Sequence, residues 1–286
     1  MPLDYDRISN WSFPDVIQTY TARDTMLYAL GVGYGFDPVD EAQLRFVYGK
    51  DLVAAPTMSV VLGYPGLWVR DPAAGLDWVR ILHGELAIRM HRPLPPSGTV
   101  IGRNRVKAVI DKGRDKGALI IVERTLYDQA SGALLATVDH TSFCRGNGGF
   151  GKGDAPPPPL PAVPGGEPDA HCDLPTLPQS ALIYRLSADP NPLHAEPAVA
   201  RAGGFSRPIL HGLCTCGVAC HAILKTCCDY QPERLTSLAM RVSSPVYPGD
   251  TIRTAMWRRG ETIQFRARAL ERDAVVLTNG VATIKP

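Results

Sequence analysis

The chain lacks the long apolar run that a membrane-spanning helix needs. No stretch of its 286 residues approaches ~20 consecutive apolar positions. It also lacks charge of one sign: 30 basic residues stand against 28 acidic ones, a formal net charge of +2. That balance argues against nucleic-acid binding or a polybasic membrane surface. The opening residues, MPLDYDRISNWSFPDV, have no cationic start followed by an apolar core, so no secretory signal is expected. The final Thr283-Ile284-Lys285-Pro286 is not the peroxisomal S-K-L address, and a cytoplasmic location is expected. With 45% hydrophobic and 20% charged residues, disorder is excluded as the main theme.

What is present in excess is glycine (27) and proline (26). Many of them gather between Gly146 and Pro178, with Pro156 to Pro159 in a row. Such a stretch reads as an extended, semi-rigid linker. It divides the chain into residues 1–145, a linker over 146–178, and residues 179–286.

The two halves share a pattern. Pro56 and Pro93 recur as Pro208 and Pro245, each 152 positions on, and Arg89 and Asp77 recur as Arg241 and Asp229. Duplication is the reading. Each half then offers three strand candidates rich in Val, Ile and Thr: Thr99–Ile110, Ala118–Tyr127 and Leu134–Phe143, then Thr251–Trp257, Thr262–Leu270 and Ala274–Ile284. A helix is expected from Gly212 to about Thr226. It is apolar almost all round and therefore buried on most sides, as under a curled sheet. The first-half equivalent, starting at Thr57, is interrupted by Gly63-Tyr64-Pro65-Gly66. A short helix with a ligand tunnel beside it is expected there.

Cysteines number seven, and five of them (Cys214, Cys216, Cys220, Cys227, Cys228) crowd into one apolar segment. An odd count without an export signal points to reduced thiols. Cys214, Cys216, Cys220 and His221 invite a zinc reading. Along one helix they face different directions, so buried apolar cysteine is expected and no metal.

The stretch that carries chemistry is Tyr184-Arg-Leu-Ser-Ala-Asp189-Pro-Asn191-Pro-Leu-His194. Pro190 and Pro192 stiffen the loop and keep Asp189 and Asn191 out of helical geometry. A carboxylate, an amide and an imidazole are thus presented together. They can hold one water, and two of them can move a proton.

The spacing Y-x-L-S-x-D-x-N-P-L-H-x5-A, matched from Tyr184 to Ala200, resembles the MaoC-like (R)-specific enoyl-CoA hydratases, known as hydratase 2. Tyr28-Ala-Leu-Gly-Val-Gly33, Leu82-His-Gly-Glu85, Arg145-Gly-Asn-Gly-Gly-Phe-Gly151, Ile209-Leu-His-Gly-Leu-Cys-Thr215 and Pro245-Val-Tyr-Pro-Gly249 extend the resemblance over most of the chain. It implies an α+β double hotdog: two repeats of an antiparallel sheet wrapped around a central helix, with the catalytic half at the C-terminus. It implies reversible addition of water to a trans-2-enoyl-CoA, giving the (R)-3-hydroxyacyl-CoA. The broken first-half helix is similar to that of the family's bulky-chain members, and the resemblance implies medium, long or branched acyl chains.

By the same resemblance Asp189 and His194 hold the water and move the protons, in roles the sequence leaves open. Asn191 orients the water or His194, and the Gly212 backbone N–H meets the thioester oxygen. Substrate contacts are implied at His83, Gly84, Lys112 and Val242. No cofactor is implied beyond the CoA of the substrate, and a homodimer is expected. Ala188 departs from the glycine usual before the catalytic aspartate. The first half lacks the proton-transfer set, so one site per chain is expected. His211, just before the helix, reads as a cap or supporting group, His140 as solvent-facing, and the Gly146–Gly153 loop as lying near CoA. The rivals are a hotdog acyl-CoA thioesterase and a non-catalytic acyl-CoA-binding protein.

Overall fold

Strand formers and turn residues alternate along both halves, and the chain folds accordingly. The computed structural model describes residues 2–187 and 189–286. The strands are β1 (Val16–Tyr20), β2 (Ile81–Met90), β3 (Gly98–Asp111), β4 (Ala118–Asp128), β5 (Leu134–Cys144), β6 (Ala170–Pro175), β7 (Leu235–Val242), β8 (Thr251–Arg259), β9 (Thr262–Ala269) and β10 (Ala274–Ile284). The α-helices are α1 (Tyr5–Ser9), α2 (Ala22–Gly31), α3 (Glu41–Val47), α4 (Ser180–Tyr184), α5 (Pro197–Ala202) and α6 (Gly212–Cys227). All six expected meander strands form, within two residues of their expected ends.

The strands build one antiparallel sheet in the order β1-β3-β4-β5-β2-β7-β10-β9-β8-β6. Read outward from its middle, the order is the same in both directions once each strand is replaced by its repeat equivalent. The halves join where β2 pairs with β7, with Ala87 opposite Ala239, Glu85 opposite Arg241 and Arg89 opposite Ser237. Tyr28 of the first half and Tyr184 of the second also meet, with ring centroids 5.8 Å apart. This is the α+β double hotdog.

Helix α6 is the axle of the second half. Every residue from Cys214 to Leu224 is buried, as an all-round apolar helix requires. It packs on β6, β7, β8 and β10. A side chain at Gly217 would bring its Cβ within 2.5 Å of Val32 Cγ1, so glycine lets the segment after α2 close onto the helix.

Two expectations change. The stretch read as linker contains β6, an edge strand paired with β8. Its inward positions, Cys172 and Leu174, are buried, and its proline sits at the strand end, where a missing donor costs least. In the first half no α-helix stands where α6 stands in the second. There is only a 3-10 turn at Pro56–Val60, followed by three-residue turns at Trp68–Arg70, Pro72–Ala74 and Trp78–Arg80. Gly63, at φ +61°, explains part of this. It runs against Gly102 of β3 so closely that a Cβ on either glycine would strike the other's backbone. A continuing helix cannot make that approach. Ala188 lies outside the described residues.

Candidate active site

Helix α4 runs into a 3-10 turn at Arg185–Ser187, and the Asp189–His194 loop follows. The Asn191 backbone N–H donates to Asp189 Oδ1 at 3.1 Å. The Asn191 side-chain oxygen accepts from the Leu193 N–H at 3.2 Å and caps the 3-10 turn Pro192–His194. The side-chain oxygen of Asn191 is thus bonded to the backbone of the turn that carries His194.

His194 is 7% exposed. Its Nδ1 lies 2.8 Å from the Ile209 carbonyl oxygen. A carbonyl can only accept, so Nδ1 carries the hydrogen and Nε2 keeps a free lone pair. Burial holds the His194 pKa below the usual imidazole range, against the opposing pull of the Ile209 carbonyl and the Asp189 carboxylate. The ring is thus poised as a neutral acceptor.

His211 is the N-cap residue of α6, but its side chain makes no cap bond. Instead its Nε2–H donates to the Asp189 backbone oxygen at 3.3 Å. Its ring stacks on His194 with centroids 3.7 Å apart and planes 27° apart, and the Tyr184 ring lies 4.9 Å from it. Burial, then the neighbouring His194, push its pKa down to about 2. One donor atom each from Asp189, His194 and His211 lies within 4.8 Å of the others. As a metal cage the set is poor. Each imidazole has one nitrogen bonded to a carbonyl, which leaves the set one ligand atom per residue, short of the four that a closed structural site takes.

Gly212 opens α6, where first-turn N–H groups lack partners in the helix and the dipole favours negative charge. A Cβ there would sit 3.6 Å from Val242 Cγ2 and 3.8 Å from His83 Cβ, ordinary contact distances. The protein would therefore accept a methyl group, and packing alone does not require glycine. Val242 and His83 border this point, and Gly84 makes the β2 bulge between His83 and Glu85. Lys112 is not among these buried groups; it stands on the exposed β3–β4 turn.

Sequence reasoning missed three neighbours. His140 is not solvent-facing. It lies two residues from the buried Val138, on the same strand face, and its Nε2 is hydrogen-bonded to His83 Nδ1. Burial, then Arg124, push its pKa down to about 4. Burial, then the Asp189 carboxylate, raises the Tyr64 pKa to about 12, and the Arg124 guanidinium lies 5.4 Å from its ring centroid. Arg124 is buried, and its guanidinium donates to the carbonyls of Val60 and Leu62, closing the end of the 3-10 turn. A cavity of about 140 Å³ opens beside that turn, lined by Leu27, Tyr28, Met58, Val61, Leu62 and Leu186 among others. Leu186 and Ser187, on its wall, lie just before the Asp189–His194 loop in the chain. The Gly146–Gly153 loop is no phosphate cradle as it stands. The amides of Gly149 and Gly151 each donate to the Asp111 carboxylate at 2.8 Å.

A double hotdog with a carboxylate–imidazole pair facing the head of its buried helix defines a hydratase-type dehydratase. Comparison with known families agrees. Residues 160–280 match the MaoC like domain, and residues 18–146 match the MFE-2 hydratase 2 N-terminal domain. The chain belongs to the MaoC-like hydratase 2 family. It is 37% identical to the peroxisomal enoyl-CoA hydratase 2 of Arabidopsis thaliana, over 94% of this chain and 91% of that one. It is 36% identical to a probable enoyl-CoA hydratase 2 of Dictyostelium discoideum, over 100% and 98%. The crystal structure of a MaoC-like dehydratase from Phytophthora capsici superposes with a TM-score of 0.85, at 35% identity, covering 98% of each chain.

Proposed function

We propose that the protein is an (R)-specific 2-enoyl-CoA hydratase, a hydro-lyase that adds water reversibly to trans-2-enoyl-CoA. The observation that carries this reading is the convergence of Asp189, a neutral His194 and the Gly212 N–H. Water sits between the Asp189 carboxylate and His194 Nε2. As its oxygen bonds to Cβ, one water proton passes to this pair. The electron pair of the C=C bond moves onto the thioester oxygen, which the Gly212 N–H and the α6 dipole stabilise. The pair then returns one proton to Cα on the same face and regains its starting state. Each atom added comes from water, so no step calls for a metal or redox cofactor.

In this reading residues 179–286 hold the catalytic unit and residues 1–145 house the substrate. The acyl chain enters the cavity beside Met58, Val61 and Leu62, which supports medium, long or branched chains. His83, Gly84 and Val242 border the thioester, and Lys112 meets CoA at the surface. Seven unpaired cysteines fit a reducing compartment. We assign the cytoplasm, and cell fractionation tests this against the peroxisomal location in the name of the Arabidopsis relative. No helix among the described residues is long and apolar enough to cross a membrane. A homodimer is the assembly we assign, tested by light scattering for twice 31.0 kDa.

The test is crotonyl-CoA with the purified protein. Loss of conjugated-thioester absorbance without release of free thiol supports hydration. Thiol release would point to a thioesterase instead.

A further inference from the structure

His211 is 1% exposed, among the most deeply buried polar residues of the site, and the reaction as derived gives it no task. Yet three constraints meet in this one residue. Its backbone leads directly into Gly212, the oxyanion donor. Its Nε2–H holds the Asp189 carbonyl at 3.3 Å, across 22 residues of sequence. Its ring face lies 3.7 Å from that of His194. The same residue therefore touches both members of the proton-transfer pair and the peptide that carries the oxyanion donor.

The contact to Asp189 matters because of what else holds that loop. Asp189 lies between a 3-10 turn and two proline-fixed positions. The loop's local bonds run within it, from the Asn191 N–H to Asp189 and from the Leu193 N–H to Asn191. They set its shape but not its distance from α6. Two bonds reach outward to the segment that opens α6: His194 Nδ1–H to Ile209 and His211 Nε2–H to Asp189. The first anchors the imidazole, and the second anchors the carboxylate end. Without the second, Asp189 is free to drift against Gly212 while His194 stays in place.

We propose that His211 is a positioning residue for hydration: a strut that fixes the spacing of Asp189 and His194 against the Gly212 N–H. The proposal rests on the hydratase reading. A misplacement of about 1 Å at a reacting group can cost about 10²-fold in rate. The effect belongs in kcat, because the His211 side chain bonds the proton-transfer loop and is not part of the acyl cavity's lining.

Two full-length variants separate the strut from a merely structural histidine. His211→Phe keeps a ring against His194 and removes the donor to Asp189. His211→Gln restores an amide donor at comparable reach. With crotonyl-CoA, His211→Phe should lower kcat about 10- to 100-fold with KM within about threefold. His211→Gln should recover much of that loss. Wild-type kcat in His211→Phe overturns the proposal, as does a His211→Gln variant no faster than His211→Phe. If His211→Phe fails to fold, His211→Gln alone decides: kcat within about tenfold of wild type supports the strut, and a loss as deep as that of His194→Ala overturns it. A wild-type protein that hydrates no enoyl-CoA sinks the hydratase reading and the proposal with it. Normal wild-type turnover with unaffected variants sinks the proposal alone.

Discussion

Ala87 of β2 pairs directly with Ala239 of β7, and the two are 152 positions apart, the interval at which the prolines recur. The pseudo-twofold axis of the molecule passes through this pair. Around it, Glu85 faces Arg241, and their side chains meet at 2.6 Å. Symmetry of the backbone did not preserve symmetry of function. On the second-half side, the residue that precedes α6, His211, reaches the Asp189–His194 loop. On the first-half side, the helix dissolves into 3-10 turns and leaves a cavity.

Asp189→Asn and His194→Ala should each lower kcat by about 10²–10⁴-fold. The first keeps a side-chain oxygen for the Asn191 N–H, so the loop should stay folded. Steady-state kinetics across chain lengths check this. Near-normal kcat in either variant means the site is elsewhere.

Gly212→Ala should fold with a melting temperature close to wild type, because a methyl group meets only ordinary contacts there. Its kcat should fall about 10²–10³-fold as the thioester oxygen is pushed off the N–H. Gly217→Ala should do the reverse. Its Cβ collides with Val32, costing about 1–3 kcal/mol of stability in a urea melt, with kcat per folded molecule little changed.

Val61→Phe narrows the cavity beside the Pro56–Val60 turn. kcat/KM for a ten-carbon enoyl-CoA should drop at least about tenfold, while crotonyl-CoA should change by less than about threefold. Equal losses on both substrates would place the acyl chain elsewhere.

Buried histidines set an acid limit on stability, His211 and His221 among them. Burial pushes the His211 pKa to about 2 and the His221 pKa to about 4. In the unfolded chain both imidazoles take up protons below about pH 6.5. The unfolded state therefore binds more protons, and stability falls as pH drops from about 6.5. The slope is up to about 1.4 kcal/mol per pH unit for each histidine, until pH 4 for His221 and further for His211. Urea melts from pH 7 to 4.5 check the direction; stability rising over that range would contradict it.

Much of this was legible in the residues. The six meander strands follow from Val, Ile and Thr between turn residues, and the catalytic loop is one contiguous string. What escaped depends on contacts between distant segments. Strands β1 and β6 are short edges, and β6 hides among prolines because an edge tolerates them. β2 carries the Gly84 bulge, which breaks its alternation. The inward turn of His140 was in fact readable from its place two residues after Val138. The tie from His211 to Asp189 had no local signal, since only the packing of α6 against the loop creates it.

The most direct test is the product itself. Incubating the purified protein with a trans-2-enoyl-CoA of eight to ten carbons and resolving the 3-hydroxyacyl-CoA enantiomers should give the (R) alcohol, and Asp189→Asn should form it far more slowly. An (S) product, or no turnover at any chain length, would contradict the account.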